Sequence, residues 1–373
     1  MVKIFKRLTV WVFAIYYSFF YKIRKKTVMF HAYGGMSYSC NPRAISEALH
    51  RLHPEYRILW CFEDIEKMKT IVPDYVQIIQ KGSIEEIKTQ YTVSGWVFNR
   101  GTGFPFKRKG QFYLDTWHGD RAFKVVDILA CGEVTLLRRA YRFVDTVTSG
   151  SKYGDNVIRN AMKFSGEILK SGSPRNDLFF HYQKSDVMRI KKALGIEPDT
   201  RIFMYAPTYR DHNETYPIPD FTRILDTLEK KTQEKWCCLW RGHYFSLHKS
   251  LAYSSHKVID ATSYNDMQEL LLVTDLLISD YSSSVGDFAL LNRSILLYVP
   301  DLENYRSTRG LNFKLEDSPY LFAENSEDLY QLVEHLDFES ARENCKAILD
   351  FYGTYGEKGT ASEQAVEWIV KHS

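Results

Sequence analysis

The stretch SDYSSSVGD at residues 279–287 ends the apolar run DLLIS (Asp275–Ser279) and opens a helical period, Ser284–Leu291. A second apolar run, SILLYV at Ser294–Val299, follows. Apolar runs of this length bounded by turn residues read as strands buried on both faces, the condition of a parallel sheet covered by helices. Strand, turn, helix and strand in that order make a βαβ unit, which sets the reading of the rest of the chain. The alternation includes RIFMYA (Arg201–Ala206), WCCLW (Trp236–Trp240) and Lys257–Asp260, with helical periods at Phe221–Lys231 and Tyr264–Thr274. It recurs before the turn-rich SGSPRND at Ser171–Asp177, with strands expected at Thr27–His31, Arg57–Phe62, Val76–Gln80, Gly95–Asn99, Gln111–Thr116 and Val144–Ser149. Asn41-Pro42 starts a helix through about Arg51, Pro being tolerated where a helix N–H has no partner anyway. The end, from about Ser326 to Lys371, reads as helical.

The fold class expected is α/β, with two Rossmann-like domains at residues 27–175 and 176–373 facing a common cleft. In open parallel sheets ligands lie beyond the carboxyl ends of the strands, so the chemistry is sought there. A length of 373 residues exceeds one hydrophobic core and agrees with two domains. A net charge of +3 gives no reason to expect a nucleic-acid partner. The six cysteines are scattered without a CxxC pair or zinc spacing, which reads as buried, reduced thiols.

Residues 1–26, MVKIFKRLTVWVFAIYYSFFYKIRKK, carry seven Lys/Arg and no acidic residue. The uncharged run Leu8–Tyr21 would make a helix roughly 21 Å long, short of a hydrocarbon core of about 30 Å. Leu8, Trp11, Val12, Ile15 and Phe19 form an apolar stripe, while Val10, Phe13 and Phe20 interrupt the opposite face. The expectation is a helix lying in a membrane interface, with its basic flanks drawn to anionic lipid. The competing reading packs the helix on the protein's own core.

Four clusters follow expected strands. In the Ser282–Ser284 turn, Ser284 and Asp287 have the spacing of a capping box, and N–H groups at a helix start can hold a phosphate; serines before a helix are more often plain caps. Trp117-His118-Gly119-Asp120 offers an imidazole able to take a proton near neutral pH, against the ordinary alternative of a buried structural histidine. Arg241-Gly242-His243 puts two cationic side chains at a strand exit, where a pyrophosphate leaving group would need them or where surface charge would simply sit. Tyr205–Asp211, YAPTYRD, and Arg309-Gly310 complete the set.

In order and content these motifs resemble the CDP-glycerol glycerophosphotransferase family of teichoic-acid primases and polymerases. The matching stretches are NPRAISEAL (Asn41–Leu49), TWHG (Thr116–Gly119), GSPRNDLF (Gly172–Phe179), YAPTYRD, the Arg241/His243 pair, SDYSSSVGDFALLNRSILLYVPDLENY (Ser279–Tyr305) and Arg309-Gly310. The resemblance implies a GT-B fold and metal-independent transfer of a polyol phosphate from CDP-glycerol or CDP-ribitol, with no cofactor. The acceptor implied is an undecaprenyl-diphosphate-linked saccharide or polymer at the cytoplasmic face of the membrane, in teichoic-acid or capsule synthesis. His118 is the implied base on the acceptor hydroxyl, and His243 acts near the donor pyrophosphate. Ser282, Ser283 and Ser284 are implied to hold donor phosphates, with Arg241, Arg309, Thr208, Asp280 and Asp287 completing the donor site. The two aspartates either shape that loop or contact the donor's polar groups. Asp120-Arg121-Ala122-Phe123-Lys124 after WHG departs from the family pattern; an acidic residue there is expected to raise the base's pKa or alter acceptor choice. The missing Pro after His243 is a second departure. A sugar-nucleotide glycosyltransferase of the same fold and a non-catalytic membrane-associated scaffold are the alternatives, and a homo-oligomer is compatible with either.

Overall fold

The computed structural model describes residues 2–101, 104–125, 141–208, 210, 216–242 and 257–373, with side chains from residue 9 onward. The buried apolar runs become strands with parallel neighbours. β1 (Arg24–His31), β2 (Arg57–Phe62), β3 (Val76–Gln80), β4 (Val93–Phe98), β5 (Phe112–Asp115), β6 (Thr146–Thr148) and β7 (Glu167–Leu169) form a seven-stranded sheet in the order β3-β2-β1-β4-β5-β6-β7. β8 (Arg201–Ala206), β9 (Trp236–Trp240), β10 (Val258–Asp260), β11 (Leu276–Ser279), β12 (Ser294–Tyr298) and β13 (Phe322–Ala323) form a six-stranded sheet in the order β10-β9-β8-β11-β12-β13. Strand order reverses between β1 and β4 and again between β8 and β11, and the crevice at such a switch is where doubly wound sheets hold ligands.

The chain divides into two compact units: Met1–Asp120, Cys131–Phe180 and Tyr355–Ser373 in one, Arg121–Ala130 and His181–Thr354 in the other. This differs from the expected single break after residue 175, because two segments return. The C-terminal helix Ala361–His372 buries Ala365, Val366, Trp368 and Ile369 in the core of unit one, with Ile45, Leu49, Phe112 and Leu114. Arg121–Val125 instead pairs with unit two, through Val125 N to Gly310 O (3.1 Å) and Asn312 N to Phe123 O (2.8 Å). Unit two is built on Phe203, Tyr205, Trp236, Trp240, Ile278 and Leu296, under the helices Phe221–Thr232 and Ser326–His335. Cys40, Cys61, Cys237, Cys238 and Cys345 are buried and free, and burial pushes the Cys237 and Cys345 thiols up to about 12, as structural thiols require.

The helix Val2–Phe20 packs along one face on the protein itself. Val10, Phe13, Ala14 and Tyr17 pack on Ile87, Tyr91 and Phe106 of unit one, so residues that break the amphipathic pattern make the intramolecular contact. Val12, Ile15, Phe19 and Phe20 stay exposed, Phe19 by 81%. Leu8 has its side chain outside the described set. Among the described residues no helix is long and apolar enough to cross a membrane.

His31, at the end of β1, is buried with its ring stacked on Phe98 at 3.6 Å. Burial, reinforced by Lys81, lowers its pKa to about 3. The folded state therefore refuses a proton that the unfolded chain accepts below about pH 6.5, so stability is whole above that pH and falls toward pH 3. Between pH 6.5 and 5 this one group should remove about 2 kcal/mol. His31→Phe should lose visibly less stability over that interval, measured as the shift of the urea midpoint of unit one.

Candidate active site

At the switch point of unit two the exit of β8 faces the exit of β11, joined by Ser279 Oγ donating to Ala206 O at 2.6 Å. Just beyond it Arg210 is held almost wholly out of water. Its Nε and Nη2 donate to both oxygens of Asp301 (2.6 and 3.0 Å), and its Nη1 donates to Thr208 O (2.7 Å) and lies 2.9 Å from Asp280 Oδ2. The guanidinium sits 4.6, 5.0 and 4.9 Å from the ring centres of Tyr216, Tyr281 and Tyr305, and Tyr281 stacks on Tyr305 at 3.8 Å. Burial alone would lower its pKa; Asp280 and Asp301 outweigh that and hold it above the ordinary value. Thr208 N and Oγ1 donate to Asp280 (2.8 and 2.5 Å), and Tyr281 OH donates to Asp301 (3.0 Å). One cation thus ties together YAPTYRD, the DYSS turn and the DLENY segment.

The carboxylates of Asp280 and Asp287 are spent on the protein. Asp287 pairs with Arg121 at 3.2 Å, both buried, and its other oxygen accepts from Gln268 Nε2 at 3.2 Å. Gly286 is required beneath this pair, since a Cβ there would come within 2.5 Å of Arg121 Cδ. The capping box expected of Ser284 and Asp287 does not form: the helix Ser284–Phe288 begins after Ser283, which makes no side-chain cap. The buried guanidinium of Arg121 outcompetes a surface cap for the carboxylate. Ser282 Oγ and Ser284 Oγ instead share a hydrogen bond of 2.8 Å, and Ser282, Ser283 and Ser284 are half-buried. Arg241, at the β9 exit, donates to Ala261 O and Thr262 O, each at 2.5 Å, bracing the loop after β10. Arg309 caps the helix Leu302–Thr308, its N–H donating to Tyr305 O at 2.9 Å. His243 lies outside the described residues.

In unit one His118 follows β5 on a strained turn. Trp117 has a φ of 43°, unusual for a bulky residue. Asn41 holds this turn, its Nδ2 donating to Thr116 O (2.8 Å) and Trp117 O (3.1 Å) while its Oδ1 accepts from Arg175 N (3.0 Å). NPRAISEAL, TWHG and GSPRND therefore meet at one side chain. His118 Nδ1 lies 2.8 Å from Asn99 O. A carbonyl only accepts, so Nδ1 carries a proton, and in the neutral imidazole the lone pair is then on Nε2, the tautomer a general base at Nε2 needs.

Asp120 stands two residues after His118. Its carboxylate, buried, accepts from Ser149 Oγ (3.2 Å), Gly150 N (3.0 Å) and Ser151 Oγ (2.9 Å), and so clamps the WHG turn to the β6 exit. Arg210, Arg121, Asp301 and Asn99 were missed as site residues. Arg210 and Asp301 stand inside the quoted motifs, but their pairing joins residues far apart in the chain; Asn99 acts through its main chain, which leaves no mark in side-chain chemistry. Among the described residues no group of three or more His, Cys, Asp or Glu is placed to hold a metal ion.

Comparison with known proteins agrees with these motifs. The family described as CDP-glycerol:poly(glycerophosphate) glycerophosphotransferase matches residues 13–371. The chain is 31% identical to a teichoic acid poly(glycerol phosphate) polymerase of Bacillus spizizenii, covering 93% of this chain and 92% of that one. A Bacillus subtilis polymerase is 30% identical over 94% of this chain, which spans only 49% of its length. A teichoic acid glycerol-phosphate transferase of Staphylococcus aureus is 28% identical, with 93% of each chain covered. In three dimensions the chain is similar to the wall teichoic acid polymerase TagF, of GT-B type, with a TM-score of 0.82, 27% identity and coverage of 100% and 98%. A histidine-to-asparagine variant of TagF soaked with CDPG gives a TM-score of 0.83 at 26% identity, again covering 100% and 98%. With its matching motifs anchored around Arg210 and His118, the chain belongs to the CDP-glycerol:poly(glycerophosphate) glycerophosphotransferase family of enzymes.

Proposed function

We propose that this enzyme transfers glycerol phosphate from CDP-glycerol to a hydroxyl of a lipid-linked saccharide or growing polymer in teichoic-acid synthesis, releasing CMP. The observation that carries the reading is the His118 geometry: Nδ1 lies 2.8 Å from Asn99 O, which selects the Nδ1–H tautomer, the one whose neutral imidazole accepts a proton at Nε2. The acceptor oxygen attacks the phosphorus that bears glycerol, a new P–O bond forms, the P–O–P bond breaks, and CMP leaves with the bridging oxygen. Charge then grows on the leaving phosphate. Ser282, Ser283 and Ser284, held in place by the Arg210 knot, are the donor-phosphate groups of this reading, with Arg241, Arg309 and His243 as its cations. Asp280, Asp287 and Thr208 position that turn instead of touching the donor. Ribitol in place of glycerol, and a capsule in place of wall polymer, use the same chemistry.

The exposed stripe Val12, Ile15, Phe19 and Phe20, beside seven basic residues in the first 26, supports attachment to the cytoplasmic face of an anionic membrane. A lipid-linked acceptor makes that attachment useful. Binding to phosphatidylglycerol vesicles should fall at least about tenfold in the double variant Phe19→Glu, Phe20→Glu, and fall with added salt in the native protein. Both side chains are exposed, so thermal stability should stay within about 0.5 kcal/mol of the native value.

Incubation with CDP-glycerol, CDP-ribitol or UDP-sugars and a lipid-linked acceptor should release CMP from the CDP-polyols. UMP or UDP release instead would establish the sugar-nucleotide alternative. His118→Ala should abolish transfer while leaving CDP-glycerol binding by calorimetry nearly unchanged; ordinary turnover would remove it as base. Arg210→Ala strands buried Asp280 and half-buried Asp301 and should cost about 3 kcal/mol in unit two, with loss of donor binding. Donor affinity that survived in a folded Arg210→Ala protein would detach the knot from the donor site.

A further inference from the structure

Asn99 directly follows β4 at the switch point of unit one, fully buried, and two of its polar groups reach the surroundings of His118. Its main-chain oxygen accepts a hydrogen bond from His118 Nδ1 at 2.8 Å. Its side-chain Oδ1 accepts from Tyr33 N at 2.7 Å. Tyr33 lies in the left-handed region, φ 50°, where a tyrosine stays only if something holds it. The Tyr33 ring in turn stands edge-on to the His118 ring, centroids 5.3 Å apart and planes at 74°. The Asn99 amide nitrogen is buried without a hydrogen-bond partner. An amide kept only to satisfy the interior would use both ends; here the oxygen alone is engaged, on the loop that walls the imidazole.

We propose that Asn99 is a positioning residue for the transfer reaction, fixing through one residue both the Nδ1–H tautomer of His118 and the Tyr33 ring against which that imidazole is set. This rests on His118 being the base. The main-chain carbonyl survives any substitution, but its direction does not. Without Oδ1 the end of β4 is untied from the β1 exit, Tyr33 relaxes toward negative φ, and the carbonyl and the ring lose their common reference. Donor phosphates are held by residues of unit two, so the effect falls on turnover and not on donor affinity.

The test compares Asn99→Ala with Asn99→Asp, which keeps an oxygen acceptor for Tyr33 N whether or not the carboxyl is ionised. Misplacing a base by about 1 Å costs on the order of 100-fold in rate, so Asn99→Ala should lower kcat about 10- to 100-fold with KM for CDP-glycerol within about twofold. Asn99→Asp should recover most of that loss. Independently of any substrate, nitrogen NMR of 15N-histidine-labelled protein should show His118 protonated on Nδ1 in the native chain, the signal assigned by its disappearance in His118→Gln. In Asn99→Ala the same signal should report a mixture of tautomers. An unchanged tautomer with unchanged kcat in Asn99→Ala overturns the proposal, as does an Asn99→Asp variant that is folded yet as slow as Asn99→Ala. A tautomer shift in a protein inert toward CDP-glycerol would instead sink the reaction reading and leave the positioning of His118 standing.

Discussion

The contact of Arg210 with Asp280 and Asp301 is the constraint on which unit two depends. A guanidinium taken out of water is tolerable only with its donors engaged and its charge answered, and here two carboxylates, a main-chain carbonyl and three aromatic rings surround it. Each partner comes from a different strand exit: Thr208 and Arg210 from β8, Asp280 and Tyr281 from β11, Asp301 and Tyr305 from beyond β12. The sheet delivers these segments to the same end, and the ion cluster fixes their mutual register there. Replacing Arg210 would take the shared cation from Asp280 and Asp301 together, a larger loss than the cluster's net contribution to stability.

Unit one solves a similar problem with neutral groups. Around the turn carrying His118 the side-chain amides of Asn41 and Asn99 tie chain segments together. Asp120 adds a third tether through the serine hydroxyls of the β6 exit. A base must be aimed without being charged by its supports. Amides and a main-chain carbonyl achieve this, whereas a carboxylate directly on the imidazole would favour its protonated form. That contrast explains why Asp120, two residues from His118, is turned onto Ser149, Gly150 and Ser151.

Much of the architecture was legible in the sequence. The runs at Arg57–Phe62, Val76–Gln80, Arg201–Ala206 and Trp236–Trp240 became β2, β3, β8 and β9 with the expected bounds; for β2, β8 and β9 the reason is that strands buried on both faces are apolar almost throughout. The edge strands β7 and β13 were not seen; at three and two residues they are too short to carry a pattern. The C-terminal helix was legible as a helix but not as part of unit one, since an apolar stripe does not name the sheet it covers. His118 and the serine turn stood out through residue type. Their supports did not, because Asn99 works through its carbonyl and Arg210 meets Asp301 across 91 positions.

The fate of the two aspartates beside the serine turn bears directly on what that turn can bind. A phosphate-holding reading of Ser282–Ser284 is at odds with exposed carboxylates at Asp280 and Asp287, which would repel an anion across a few ångströms. Neither is exposed. Arg121 neutralises Asp287 below the helix, and Arg210 with Thr208 covers Asp280 at its start. The remaining half-buried groups, three serines at the start of a short helix, are uncharged donors. The acidic residues therefore belong to the scaffold, and the proposed donor chemistry is compatible with them only because two arginines, each buried in unit two, take up their charge.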